Sequence, residues 1–322
     1  MFICCFAIPS ITVADPVIMR LGTGGSGGTY FPIGSLIAKA ISGPAEIHKH
    51  ESFFEPELIA VSQRGSGSAS NVMDISQGLL EAGLAQADVV HWAFNGSGPF
   101  ENKTALNNIR ALATLYVESV HLIARKDASI NSIEDLKNKR VSLDEQGSGT
   151  RLDVLSILSV YGLTTKSFNA IYLKPADAID RLRRNELDAF FIIAGYPIKA
   201  ISNLVDNGHA TVVSIAGAPI DSLIREHPYI SKNNIPRNTY KNTGNIETIG
   251  VSAQLIINSN IDSQLVYNIT SMLWSKATKQ LLSNGHPKGE DIRLETAMAG
   301  MNIPLHPGAA RFYREQGMLN GR

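Results

Sequence analysis

Ser26 sits in Gly24-x-Ser26-x-Gly28, inside the run Gly22-Thr23-Gly24-Gly25-Ser26-Gly27-Gly28-Thr29-Tyr30, and this run is where chemistry is most readily placed. As a nucleophile on a strand-to-helix turn, Ser26 would serve acyl transfer, although almost no sheet precedes it to supply an oxyanion loop. Read as Gly22-x-Gly24-x-x-Gly27, the run fits a dinucleotide fingerprint, which needs an acidic residue after the next strand for a ribose hydroxyl. The next strand candidate, Glu57–Val61, runs instead into Ser62-Gln63. A phosphate loop fails because Gly28 stands where lysine is required. Two readings remain beside the nucleophile: a packing turn, or a set of exposed N–H groups at a helix start that suits an anion or an oxygen-rich ligand.

Two further loops share this chemistry. Arg64-Gly65-Ser66-Gly67-Ser68-Ala69-Ser70-Asn71 and Asp144-Glu145-Gln146-Gly147-Ser148-Gly149-Thr150 each follow a strand and open a helix. Their hydroxyls can cap those helices, or, with the glycine N–H groups, hold oxygens at the carboxyl ends of strands, where open α/β sheets bind ligands. Gln86 and Asp88 could orient amino or hydroxyl groups, or serve as a surface amide and a cap. Tyr196, in Gly195-Tyr196-Pro197, could line a cleft or pack a turn. Among the eight histidines, His48-Lys49-His50 lies in a poorly patterned stretch and His306-Pro307 reads as a turn before the last helix, so no metal set emerges.

The elements that must carry these loops alternate strand and helix, the mark of an α/β fold. Strands are expected at Val17–Leu21, Leu58–Val61, Ala82–Ala85, Ala111–Leu115, Val120–Ala124, Arg140–Leu143, Ala170–Leu173, Leu187–Ile193, Thr211–Ile215 and Thr248–Ile257. Helices are expected near 28–42, 68–80, 150–161 and 176–184, a short capped turn at Ser132–Leu136, and C-terminal helices from Asp262, where Leu265, Val266, Ile269, Met272 and Leu273 form a stripe. Ala216–Glu247, rich in Pro, Asn, Lys and Ser, reads as a long irregular excursion.

Composition narrows the partners. The chain has 322 residues, 44% hydrophobic and 18% charged, with no net charge, which argues against nucleic acid. The run Arg181-Leu182-Arg183-Arg184 reads as a solvated helix face. Met1–Ala14 is apolar and ends in small residues, resembling an export signal without its basic start, as from a start codon upstream of Met1; a buried N-terminal element is the alternative. Cys4 and Cys5 both lie inside it, so a chain beginning near Asp15 would hold no thiol. No later apolar run approaches the roughly 18 residues of a membrane span.

Taken in order, Gly22–Gly34, Gly67–Asn71, Gln86-x-Asp88, Gly147–Thr150, Gly195-Tyr196-Pro197 and Pro304-Leu305-His306-Pro307-Gly308-Ala309 resemble the TAXI-type solute receptors of tripartite ATP-independent periplasmic (TRAP) transporters. The resemblance implies a two-lobed type II periplasmic-binding fold with two mixed sheets joined by hinge strands. Lobe one would hold residues 15–118 and 258–322, and lobe two residues 119–257. It implies a non-catalytic receptor that holds a small carboxylate, notably a glutamate-like amino acid, in the interlobe cleft, with no cofactor and no metal. The ligand-binding residues would be Thr23, Gly24, Gly25, Thr29, Tyr30, Ser68, Gln86 and Asp88 from lobe one, with Gly147, Ser148, Gly149, Thr150 and Tyr196 from lobe two. It also implies a periplasmic, monomeric protein, cleaved near Ala14, that hands its ligand to an ion-gradient-driven permease. Two departures stand out: Ala87 where relatives often carry Ser, and the acids Asp144 and Glu145 where relatives are often neutral. The rival remains an exported serine hydrolase using Ser26.

Overall fold

The computed structural model describes residues 15–25, 27–42 and 57–319. The expectations for Met1–Ala14, Cys4, Cys5, Ser26, His48 and His50 lie outside the described residues. The strands are β1 (Val17–Gly22), β2 (Leu58–Gln63), β3 (Ala82–Gln86), β4 (Ile109–Arg125), β5 (Arg140–Ser142), β6 (Asn169–Ile171), β7 (Ala189–Ala194), β8 (Ala210–Val213), β9 (Ile230–Ile235) and β10 (Ile246–Asn258). The helices are α1 (Tyr30–Ile41), α2 (Ser68–Ser76), α3 (Ala87–Asn95), α4 (Gly149–Val160), α5 (Pro175–Arg183), α6 (Lys199–Asp206), α7 (Ala218–Glu226), α8 (Ser263–Leu273), α9 (Lys276–Gly285) and α10 (Pro307–Glu315).

The expected α/β architecture is present, a mixed sheet flanked by helices. Its strand order is β2-β1-β3-β10-β4-β7-β5-β6, with β8 also on β4 and β9 also on β10. Parallel pairing joins β1 to β2 and β3 at one end, and β5 to β6 and β7 at the other. Between them run the antiparallel strands β4 and β10, so the two sheets expected from sequence share one hydrogen-bonded path. β4 and β10 change neighbours along their length. β10 pairs with β9 over Ile246–Val251 and with β3 over Ala253–Ile257, while β4 meets β7 only from Ser119 onward. Register shifts at Ala253/Gln254 and Leu255/Ile256 add local twist where the sheet turns.

Ala111–Leu115 and Val120–Ala124, expected as two strands, are one. Polar Glu118 and Ser119 read as a break, but β4 continues through them because β10 pairs with both. Ala216–Glu247 is not an irregular excursion. Pro219 sits in the first turn of α7, whose Ile220 and Leu223 are buried, and β9 buries only its end residues Ile230 and Ile235. Its polar middle hides an edge strand from composition.

Apolar burial separates the molecule into two sides. Two clusters draw on Met19–Tyr116 and Ala253–Tyr313, and two others draw on Val120–Val251, with Ala87 their one member from outside that span. On the first side α1 rests directly on the end of β1. A β-carbon on Gly34 would lie 2.5 Å from Thr23 Cγ2, so a glycine in mid-helix permits the contact. Arg181 and Arg183 do face outward on α5, with Leu182 buried beneath. His306 accepts from Gly308 N at 3.3 Å and so caps α10.

Candidate functional site

The parallel strands of both sides end toward one another, and the three glycine loops meet there. Ser70 N donates to Gly147 O at 3.0 Å, joining the second loop to the third. Thr29 Oγ1 accepts from Gly195 N at 2.9 Å and donates to Gly195 O at 3.2 Å, joining the first loop to the turn after β7. Gln86 Nε2 donates to Asp153 Oδ2 on α4 at 2.7 Å. The structure is therefore a closed arrangement, with direct bonds between the two sides.

These contacts border a cavity of about 60 Å³ that stays partly open to solvent. On the first side it is lined by Gly24, Gly25, Gly28, Thr29, Tyr30, Ser66, Gly67, Ser68, Gln86 and Glu118. From the other side come Asp144, Glu145, Ser148, Gly149, Thr150, Pro175, Ile192 and Ile193. The first turns of α1, α2 and α4 open onto the cavity. Early helical N–H groups lack carbonyl partners within their own helix, so these turns present donors and the positive ends of helix dipoles.

The side chains around these donors are already organised. Ser68 Oγ donates to Gln86 Oε1 at 3.0 Å and accepts from Gln86 N at 3.1 Å. The Tyr30 hydroxyl lies 3.3 Å from Ser68 Oγ. Asn71 Nδ2 ties the frame together by donating to Thr23 O at 3.1 Å and Leu84 O at 2.7 Å. In the third loop, Ser148 Oγ donates to Asp144 Oδ2 at 2.6 Å, and Thr150 Oγ1 accepts from Ile193 N at 3.2 Å. Each hydroxyl thus makes one bond to the scaffold, Ser148 keeping its lone pairs and Thr150 its proton for a further partner.

Of the residues singled out from sequence, Gly24, Gly25, Thr29, Tyr30, Ser68, Gln86, Ser148, Gly149 and Thr150 come together at this cavity. Four do not line it. Thr23 Oγ1 turns away to Gln63 O at 2.7 Å. Asp88 is buried in the first turn of α3, where its Oδ1 accepts from Val89 N. Gly147 lies behind its loop, against Ser66 and Ser70. Tyr196 packs its ring under Lys288 Nζ, 3.9 Å from the ring centroid.

Glu118 is the acidic lining residue that sequence reasoning missed, together with apolar Pro175, Ile192 and Ile193. It lies on β4 opposite Val251, where the sheet changes partners. Its only sequence signal is a lone carboxylate in an apolar run. Burial, reinforced by the negative charge of Asp88, pushes its carboxyl up to about 8, against the pull of the Tyr30 hydroxyl and Lys288. Burial likewise raises Asp144 to about 6. No lysine or arginine is among the described lining residues, so the charged side chains of the cavity are all acids. Among the described residues, no group of three His, Cys, Asp or Glu side chains is placed to hold a metal ion, and no helix is long and apolar enough to cross a membrane.

The sequence model of the NMT1-like family matches residues 21–317. Among solved structures, the chain is similar to MatC from Rhodopseudomonas palustris with bound malate, at TM-score 0.56 and 13% identity over 94% of this chain and 97% of that one. It is similar to PhnD1 from Prochlorococcus marinus in complex with methylphosphonate, at TM-score 0.54 and 12% identity over 95% and 100%. A protein from Bordetella bronchiseptica RB50 matches at TM-score 0.53 and 14% identity over 94% and 90%. At such identities the likeness is one of fold.

Proposed function

The chain belongs to the NMT1-like family, and on that premise we propose that it is a non-catalytic solute receptor for a small amino acid. One observation carries the reading: helix N-termini and acidic side chains face each other across a cavity of about 60 Å³. The amide-rich starts of α1, α2 and α4 suit a carboxylate. Glu118 and Asp144 suit an ammonium group, whose charge favours the ionised form of the raised Glu118 carboxyl. An α-amino-acid head carries both charges on a single carbon, so it can meet the amide donors and the acids together. A second free carboxylate, as in a dicarboxylate, would lie against Glu118 or Asp144 with no lysine or arginine among the described lining residues. The glutamate-like ligand expected from the resemblance fits where its side chain lies away from those acids.

The receptor acts by closing. Ligand bridges the two sides, β4 and β10 flex between residues 15–118 with 258–322 and residues 119–257, and the closed surface is what a membrane permease distinguishes. Such a ligand shifts the balance only by binding the closed form better. In this reading the protein is periplasmic and monomeric and serves an ion-gradient-driven TRAP permease. The malate bound to MatC is a small carboxylate in a related fold.

Calorimetry with L-alanine and L-glutamate against pyruvate and 2-oxoglutarate tests the claim, since each pair differs by amine against ketone. The amino acids should bind, and Glu118→Gln should weaken them by about tenfold to a hundredfold, the worth of a charged hydrogen bond. Oxo acids that bind as tightly as their amino partners would refute the ammonium site.

A further inference from the structure

Asp88 and Asp153 meet inside the molecule with no base between them. Asp88 opens α3 on the first side, and Asp153 faces it from α4 on the other. One oxygen of each already has a donor: Asp88 Oδ1 accepts from Val89 N, and Asp153 Oδ2 from Gln86 Nε2, both at 2.7 Å. The other two, Asp88 Oδ2 and Asp153 Oδ1, are buried with no donor. Yet the two side chains lie within hydrogen-bonding reach of each other.

Two carboxylate oxygens are both acceptors, so they cannot bond unless one of them carries a proton. Two full negative charges at that range, away from water, would repel strongly. A single proton held between them satisfies both orphaned atoms at once. We propose that Asp88 and Asp153 form a proton-sharing latch across the cleft, closed while the pair holds its proton and released when the proton is lost.

The thermodynamic sign follows from the geometry. Opening carries Asp88 away with α3 and Asp153 away with α4, so each carboxyl regains water and ionises separately. The closed form therefore binds a proton that the open form releases, and rising pH favours opening. Other titratable groups face the pair. Glu118 on β4 pushes it toward the protonated form, while His227, ahead of β9, draws Asp88 toward ionisation when charged. His91 on α3 and Tyr229 beside His227 also feel its charge. Gln86 leads into α3 and stays neutral throughout.

The molecule carries its own reporter. Trp92, on α3 one turn beyond Asp88, donates to the Tyr229 hydroxyl at 2.8 Å, and the two rings meet edge-on at 5.7 Å. Opening breaks that contact. The chain has two tryptophans, so Trp274→Phe leaves Trp92 as the sole emitter. Emission of the ligand-free protein is followed from about pH 5 to pH 9, a range spanning raised carboxyl values, with the radius of gyration measured in parallel by X-ray scattering.

A red shift that grows with pH in one step, with the radius rising at the same midpoint, is expected. Asp153→Asn gives Asp88 a permanent donor and should hold the low-pH emission and radius throughout. Asp88→Asn should do the same from the other side, so that one folded variant suffices. His227 is retained in every protein, so any quenching by its cation cancels in the comparison. Emission and radius that stay flat in the parent protein would overturn the latch. So would a step that persists unmoved in a folded Asn variant. No ligand enters the measurement, so its failure is distinct from failure of the amino-acid reading.

Discussion

Gly149 lies directly beneath Gln86: a β-carbon added to Gly149 would sit 1.5 Å from Gln86 Oε1 and 2.8 Å from Ser68 Oγ. This is the tightest point between the two sides of the cleft. Gln86 cannot step aside freely, because its amide is bonded to Ser68 through Oε1 and to Asp153 through Nε2.

Gly149→Ala should therefore obstruct closure rather than folding. Displacing the Gln86 amide forfeits a neutral and a charged buried hydrogen bond, together about 2–4 kcal/mol. Ligand affinity by calorimetry should fall about thirtyfold to nearly a thousandfold, while the thermal midpoint of the ligand-free protein moves little. Undiminished affinity would show that the cleft tolerates a wider gap.

The hydroxyls of Ser148 and Thr150 support the loop indirectly, one by holding Asp144 and the other by accepting from Ile193 N. Thr150→Ala should weaken ligand binding by about twofold to tenfold, the range of a single neutral hydrogen bond, and Ser148→Ala by about tenfold to a hundredfold, because its bond is to a carboxylate. Ser148→Ala should also carry the Asp144 carboxyl further above 6, because a bond that favours its ionised form is lost. Carboxyl-resolved NMR titration reads this shift directly, and an unmoved Asp144 would contradict it.

His121 sets an acid limit on stability. It is buried in β4, with Nδ1 at 2.9 Å from Ser119 O and Nε2 at 3.0 Å from the Tyr240 hydroxyl. Burial pushes the imidazole down to about 4 from 6.5. Between those values the unfolded chain binds a proton that the folded protein refuses, so stability falls as pH drops from 6.5 to 4, by about 3 kcal/mol in full. Denaturant titrations across that window should show the decline, and His121→Gln should flatten it while lowering stability at neutral pH. An equal slope in both proteins would remove His121 from the account.

Strand-to-helix punctuation made the glycine loops legible. Gly22–Tyr30, Gly67–Asn71 and Gly147–Thr150 combine turn chemistry with helix starts, and all three meet at the cavity. Individual side-chain directions were less accessible. Thr23 and Thr29 sit in the same loop with the same hydroxyl, yet one bonds back to Gln63 O and the other reaches across to Gly195. Only the path of the backbone decides which. Glu118 was hidden because its significance depends on β4 and β10 trading partners beside it, and pairing between strands so far apart in the chain leaves no local pattern. For the same reason, Asp88 was read as a cleft residue although its partner, Asp153, is on another helix entirely.

The apolar clusters assembled from Val120–Val251 draw, Ala87 aside, on one unbroken stretch, whereas those spanning Met19–Tyr116 also require Ala253–Tyr313. A growing polypeptide therefore acquires the means to condense its middle portion well before its ends can be reconciled. Contacts joined over such long separation close slowly. Until α8 to α10 arrive, Leu21, Ile33 and Ile37 lack part of their covering, and a chain cut short before them would be left with a sticky, unfinished half.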